Sequence, residues 1–487
     1  MRGLEPLAAL LVSAPGTIAS KQWVRELYRD VVIIGGGASG AYSAVRLRED
    51  YGVSVVLIEK EEILGGHVNT WIDPSTSRAF DAGVQSYIDL PGAIPFFNRF
   101  NISTIPNVRN SNSPIYVDFT TGTTLADYSP PSTSDRNDAL RRYISLCESY
   151  DPVMEPGWWS FPSPANATIP EDLLLPFRDF VVKHNLTSAV PQIFSTTGFG
   201  NHDLLSSLTM FVMRSFSADM TRVLLGLTPG FVPASRNNQD LYTAIHKFLG
   251  ADVLTSTVVT AASRSSKEGI ILKVRNSQTA EITRIEAKRL LYTIPPTAEN
   301  LLKFDLDNGE KAVFETLQYS SSFVGIVSHP SLPLDSAIIN VPSSAQPSNW
   351  LSSLPEPPYT TRFDNYPNSS YYRVVVTGDQ DLSATSAKGI IQDNFNKLIA
   401  TGVLDQSSPP EDLKFYLFEP HGRVSAYVDR QDVEAGFMTR LNDLQGKRGT
   451  WYTGAAWSVH ITTSLWIFTD TVLPKLVDSL KYFGAHG

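Results

Sequence analysis

Val31-Val-Ile-Ile-Gly-Gly-Gly-Ala-Ser-Gly40 decides the fold of this chain. Its first four residues form an unbroken apolar run, the pattern of a parallel strand covered on both faces. Ala41-Tyr-Ser-Ala-Val-Arg-Leu-Arg48 reads as a helix, and Val53-Ser-Val-Val-Leu-Ile58 as a second buried strand ending in Glu59. Strand, helix and strand with short connections make a βαβ unit. Gly35-x-Gly37-x-x-Gly40 occupies the first turn of that unit. The first glycine allows the tight turn, the second leaves room for a pyrophosphate, and the third lets helix and strand pack closely. Ala38 and Ser39 open the helix, where free N–H groups and a partial positive charge suit phosphates. Glu59, with Lys60 beside it, lies at the end of the second strand, where a carboxylate suits a ribose hydroxyl and repels a 2′-phosphate. The unit therefore predicts a dinucleotide site that disfavours NADP.

Downstream, Leu64-Gly-Gly-His-Val-Asn-Thr70 carries two adjacent glycines, Gly65 and Gly66, followed by His67. Adjacent glycines imply backbone approach to something bulky, which favours a flavin over a nicotinamide dinucleotide. In Asp81-Ala-Gly-Val-Gln-Ser-Tyr87, Gly83 and Val84 are expected to let a flat ring lie on the chain, with Gln85 and Tyr87 projecting towards it.

Further along, residues 90–235 alternate Pro/Asn/Ser-rich loops with amphipathic helical stretches such as Leu140–Leu146, the texture of an inserted domain. Strand patterns return at Asp252–Thr260, at Gly269–Arg275 with Ile282–Glu286 as an antiparallel pair, and at Leu290–Ile294 before Pro295-Pro296. Structure is expected to begin near Arg29. The 487 residues carry a formal net charge of −9, which argues against a nucleic-acid surface. Hydrophobic residues make up 42% and charged residues 18%, too apolar for a disordered chain. The single cysteine, Cys147, excludes an intramolecular disulfide and cysteine-rich metal sites, and no His/Asp/Glu metal cluster is apparent.

The N-terminus has the form of a signal peptide over residues 1–19: Arg2, an apolar stretch from Leu7 to Val12, and Thr17-Ile-Ala19 as a small-x-small cleavage site. Sequons at Asn101, Asn166, Asn185 and Asn368 fit a secreted glycoprotein or one held in a secretory-pathway compartment. No run approaches the roughly 20 apolar residues of a membrane span.

These segments together resemble the FAD-dependent amine oxidase superfamily, and most closely the fungal β-cyclopiazonate dehydrogenase-like flavoenzymes. The resemblance lies in Val31–Gly40 with Glu59, in Leu64–Thr70, in Leu254–Val258, in Leu291–Pro296, and in Trp451-Tyr-Thr-Gly-Ala-Ala-Trp-Ser-Val-His460. It implies an α/β fold in which a Rossmann-like FAD-binding domain (29–105, 236–300 and 421–487) is interleaved with an α+β substrate domain (106–235 and 301–420). It also implies that Val258 contacts adenine and that Gly454, Trp457 and Val459 form a C-terminal flavin loop. Implied too is two-electron oxidation, as desaturation or oxidative cyclisation, of a largely apolar natural product in secondary metabolism, with molecular oxygen as acceptor. The oligomeric state stays open. His460, Gln85 and Tyr87 are the candidate catalytic residues, with His67 and His421 as further histidines near the ring. The sequence departs from the superfamily pattern twice. His67 replaces the arginine of the double-glycine motif, and Ser320, Ser321 and Ser322 stand on the strand where many relatives place a lysine. The second departure speaks against simple amine oxidation. Two alternatives to net oxidation stay open: a flavin-dependent double-bond isomerase or nonredox cyclase, and a noncatalytic flavin-binding scaffold.

Overall fold

The structure, a computed structural model, describes residues 24–108, 112–163, 167–197, 203–405 and 411–483. The segment read as a signal peptide and the sequon at Asn166 lie outside the described residues.

Strand β1 (Val24–Ile34), helix α1 (Ala38–Glu49) and strand β2 (Val55–Ile58) form the βαβ unit. Val31 to Ile34 are at most 5% exposed, so each contributes about 1.5–3 kcal/mol of apolar burial. β1 starts at Val24, ahead of the expected Arg29, because its N-terminal half continues the parallel pairing with Ile282–Tyr292. In the first sheet the order is Val253–Leu254, β2, β1, Ile282–Tyr292, Gly269–Asn276, Thr257–Ser265. Ile282–Glu286 and Leu290–Ile294 are not separate strands. They belong to one strand, Ile282–Tyr292, whose outer edge changes partner: residues 282–287 pair antiparallel with Gly269–Asn276, and residues 290–292 pair parallel with Thr450–Tyr452. Lys288 and Arg289 interrupt the apolar pattern where that change occurs.

A second seven-stranded sheet runs in the order Lys414–Tyr427, Gln318–Ser328, Tyr372–Asp379, Tyr359–Asn365, Ser336–Asn340, Ser113–Asp118, Thr123–Thr124. Helix Ala384–Ala400 covers one face, setting Ile391 and Phe395 against Phe323 and Val374. The Lys414–Tyr427 strand stays in this sheet to Tyr427, so a boundary at 421 cuts through it and the last segment of the dinucleotide domain begins beyond it. A helical layer, from Thr133–Met154 to Ala218–Leu224, packs beside both sheets. The final helix, Thr462–Leu480, returns to lie along α1. Among the described residues no helix is long and apolar enough to cross a membrane.

Candidate active site

Three glycine turns and two helix starts meet at the C-terminal end of β1. Gly35 adopts φ +101°, and a Cβ there would stand 2.8 Å from Thr293 Oγ1. A Cβ on Gly40 would overlap the Gly35 carbonyl oxygen, so helix and turn pack this closely only without a side chain. Gly37 faces Gly66, whose φ is +58°; a Cβ on Gly66 would lie 2.9 Å from Gly37 Cα. A side chain would fill the seam between these two turns. Gly454, at φ +123°, brings the C-terminal loop to within 3.2 Å of Thr293 O by the same measure.

Neither adjoining helix has a side-chain cap. Gly37 precedes α1 and Ile461 precedes the last helix, neither supplying a capping group, and neither first turn contains an acidic residue. Trp466 Nε1 donates to Ala38 O at 3.1 Å and the Trp466 ring stacks on Tyr42 at 4.9 Å, so both helix starts open on the same side. Two uncapped N-termini concentrate partial positive charge there. Thr463 Oγ1 and Gln239 Oε1 are buried without a hydrogen-bond partner among the described residues, and Gln239 Oε1 lies beside Gly65. Glu59, 8% exposed, accepts from Gly36 N at 2.6 Å and from Glu61 N at 2.9 Å. Its backbone accepts from Thr257 N at 2.8 Å, which sets Val258 next to it. Side-chain-free turns, uncapped helix starts, orphaned polar atoms and a terminal carboxylate fit FAD. Gly35–Gly40 with Ala38 and Ser39 would hold its pyrophosphate, Glu59 its ribose, and Gly65, Gly66, Gly454 and the last helix the flavin end.

Next to this cradle His67, His421 and His460 come together. The His67 and His421 rings stack at 4.5 Å and 13°. His67 Nε2 donates to His421 O at 2.9 Å, and His421 Nε2 donates to Asn69 Oδ1 at 2.8 Å. A register shift in the Lys414–Tyr427 strand, opposite Ser322 and Phe323, lets the chain bulge at His421. Burial lowers the pKa of all three imidazoles; for His421 the neighbouring His67, Arg373 and His460 add to it, and His460 falls to about 4. All three are neutral at pH 7.

His460 also borders a cavity of about 330 Å3 between the helical layer, the end of the Lys414–Tyr427 strand and residues 455–460. Trp158, Leu208, Phe211, Val428 and Val459 give it apolar walls. Arg214 and Ser458 supply polar groups. The Ser425 hydroxyl lies 3.3 Å from His460 Nδ1.

Several residues expected at the ring are packed into the protein or turned to its surface. Tyr87 is 2% exposed and its ring is packed against Phe97 and Phe231 at 4.9 and 5.5 Å. Trp457 is 1% exposed and stacked on Tyr452 at 4.7 Å, so it supports the C-terminal loop from within the core. Gly83 makes room for the His67 carbonyl, which a Cβ would overlap, and not for a flat ring. Val84 N donates to the same carbonyl at 3.1 Å. The exposed Gln85 folds its amide back onto the carbonyls of Asp81 and Gly83, the latter at 3.3 Å. Lys60 extends to the surface beside Glu61. Ser320, Ser321 and Ser322 are all buried, and Ser322 lies opposite Gly422, next to His421. Sequence reasoning missed Arg214, Ser458 and Gln239. A lone cation in Thr209-Met-Phe-Val-Met-Arg-Ser215 was the available signal for the first. No group of three or more His, Cys, Asp or Glu side chains able to hold a metal occurs among the described residues.

Comparison with known proteins gives the family and the fold. The NAD(P)-binding Rossmann-like domain family matches residues 33–100. The chain is 31% identical to the beta-cyclopiazonate dehydrogenase of Aspergillus oryzae, over 93% of each chain. It is 32% identical to the FAD-dependent oxidoreductase pigF of Monascus ruber, over 93% of this chain and 92% of that one. In fold it is similar to cyclohexylamine oxidase from Brevibacterium oxydans, with a TM-score of 0.61 at 14% identity, covering 93% of this chain and 99% of that one. The chain therefore belongs to the family of FAD-dependent oxidoreductases that includes the beta-cyclopiazonate dehydrogenases, on an amine-oxidase-like fold.

Proposed function

We propose that this enzyme carries out a two-electron oxidation, as desaturation or oxidative cyclisation, of a largely apolar natural product, and that molecular oxygen takes the electrons. The observation that carries this reading is the apolar-walled cavity bordered by His460 and by the loop that closes the FAD cradle. FAD, when bound, supplies a two-electron acceptor. The chain's own contribution is to hold the substrate against that cofactor, exclude water and accept a proton. Held neutral by burial, with its Nδ1 3.3 Å from the Ser425 hydroxyl, His460 is a group at the cavity wall that can take the proton. Overall the substrate loses two electrons and two protons, and oxygen receives them as hydrogen peroxide.

The name of the Aspergillus oryzae relative makes β-cyclopiazonate the first compound to test. Mixed anaerobically with a stoichiometric amount, the yellow enzyme should bleach and stay bleached. Admitting air should restore the colour and release one peroxide per product. Turnover without net bleaching would instead identify an isomerase or nonredox cyclase, and product formation with an idle flavin would identify a scaffold.

We further propose that the enzyme works in the secretory pathway. The asparagines of the three described sequons, Asn101, Asn185 and Asn368, are all exposed and stand at positive φ in surface turns, accessible to glycosylation. Secretion with an endoglycosidase-sensitive mass is the expected outcome, and a cytosolic protein of unmodified mass would overturn it.

A further inference from the structure

We propose that Glu310 is a positioning residue: through Tyr452 it sets where the C-terminal loop holds Val459 and His460, and so governs the reaction step without touching either ligand. The proposal rests on the reading of that loop as the border between cofactor and substrate.

The loop is reached through a strand of three residues, Thr450–Tyr452, which pairs along one side with residues 290–292. So short a strand has little ladder of its own to fix its place. Its other anchor is a buried ion network. Arg264, 5% exposed, and Glu310, fully buried, meet as a two-pronged pair, Nη1 with Oε1 at 2.7 Å and Nη2 with Oε2 at 2.9 Å. The same Nη1 donates to Thr450 Oγ1 at 3.2 Å, and Tyr452 Oη donates to Glu310 Oε1 at 3.0 Å. Burial raises the Tyr452 pKa, so the phenol keeps the proton it donates. Packed apolar side chains stabilise a corner as well as a desolvated ion pair does, so stability alone does not account for the charges. What the pair adds is a fixed place, because the strand cannot slide without breaking these bonds.

That place is passed on to the site. The Tyr452 ring stacks on Trp457 at 4.7 Å and 17°. Phe314, on the same helix as Glu310 (Asn308–Phe314), packs on both rings, at 5.9 and 6.4 Å. After Trp457 come Ser458, Val459 and His460, which line the cavity. The helix leads into strand Gln318–Ser328, whose Ser322 lies opposite Gly422, next to His421. Glu310 therefore stands where the C-terminal loop and the sheet of the substrate side are set against each other. Asp305 belongs to the same network: it accepts from Arg264 N and Nε, both at 2.9 Å, and pairs with Arg448. Among the described residues it bonds to neither Thr450 nor Tyr452.

The test compares three variants of the FAD-loaded enzyme. Tyr452→Phe removes only the phenol oxygen, Glu310→Gln keeps the shape and removes the charge, and Asp305→Asn weakens the network without touching the strand. Two readings are taken well below the melting temperature: the visible circular dichroism of the bound flavin, and the rate of anaerobic bleaching by β-cyclopiazonate. Tyr452→Phe and Glu310→Gln should keep their FAD and alter the dichroism. Their bleaching rate at saturating compound should fall about tenfold or more, with the half-saturating concentration unchanged. Asp305→Asn should lower the melting temperature and change neither reading. If Glu310→Gln does not fold, Tyr452→Phe decides. If β-cyclopiazonate fails to bleach the unaltered enzyme, it is not the substrate, and the dichroism, which needs no turnover, decides. Unaltered dichroism and rate in Tyr452→Phe, or a loss of rate in Asp305→Asn as large as in the other two, would overturn the proposal.

Discussion

The two halves of the candidate site are built from different materials. On the cofactor side the groups that would do the work are mostly backbone: glycines at 35, 37, 40, 65, 66 and 454 and uncapped helix starts, with the side chains of Glu59, Gln239 and Thr463. On the substrate side it is done by side chains, drawn from residues 158, 203–215, 425–430 and 455–460. A backbone site tolerates almost no added atom but is indifferent to much of its surroundings. A side-chain site is adjustable one residue at a time.

The sharpest way to break this comparison is Gly40→Ala. The added Cβ overlaps the Gly35 carbonyl oxygen, so α1 must move off the turn, and the purified protein should be colourless, with a flavin-to-protein ratio near zero. Gly389→Ala, whose Cβ meets open space, should stay fully yellow. Next in size, His460→Gln should lower kcat about 100-fold or more while FAD content is retained, a cofactor-independent loss that confines the effect to the substrate side. Should His460 be only structural, kcat and FAD content would fall together. Glu59→Gln keeps the shape but removes the charge, and should weaken FAD binding about tenfold with kcat unchanged at saturating FAD.

The smallest effect concerns pH. His67, His421 and His460 all have pKa values below the ordinary 6.5 in the folded chain, so the unfolded chain binds more protons as pH falls. Their contribution to stability is complete above pH 6.5 and is lost as pH drops towards about 4. The melting temperature should fall through that window, and His460→Gln should flatten the fall. An unchanged slope in the variant would mean that His460 is not held neutral by the fold.

The same division of materials governs what could be read in the sequence. A glycine that must be glycine is visible in one line of text, and so the βαβ unit, the double-glycine turn and Glu59 were legible. The burial of Tyr87 and Trp457 is not legible there, because an aromatic residue next to a motif looks the same whether it faces a ligand or the core. Their burial is set by Phe97, Phe231 and Tyr452, which come from other parts of the chain. Gly83 was misread for a related reason: the atom that needs its missing Cβ is a carbonyl of its own chain, at His67. Arg214 is held by Met154, Glu155 and Ser458, all of them far from it along the chain.

The pairing of α1 with the last helix has a consequence for how the enzyme is made. Trp466 bonds to Ala38, and Asp470 receives Tyr42 Oη at 2.9 Å and Arg46 Nη1 at 2.7 Å, so the first and last helices among the described residues are neighbours. A chain still being synthesised has its phosphate turn from the start but lacks Gly454, Thr463 and the helix that completes the cradle. On the assignment proposed for the cradle, a chain cut before residue 450 should keep the phosphate turn and lose the residues that would meet the vitamin-derived end of the cofactor.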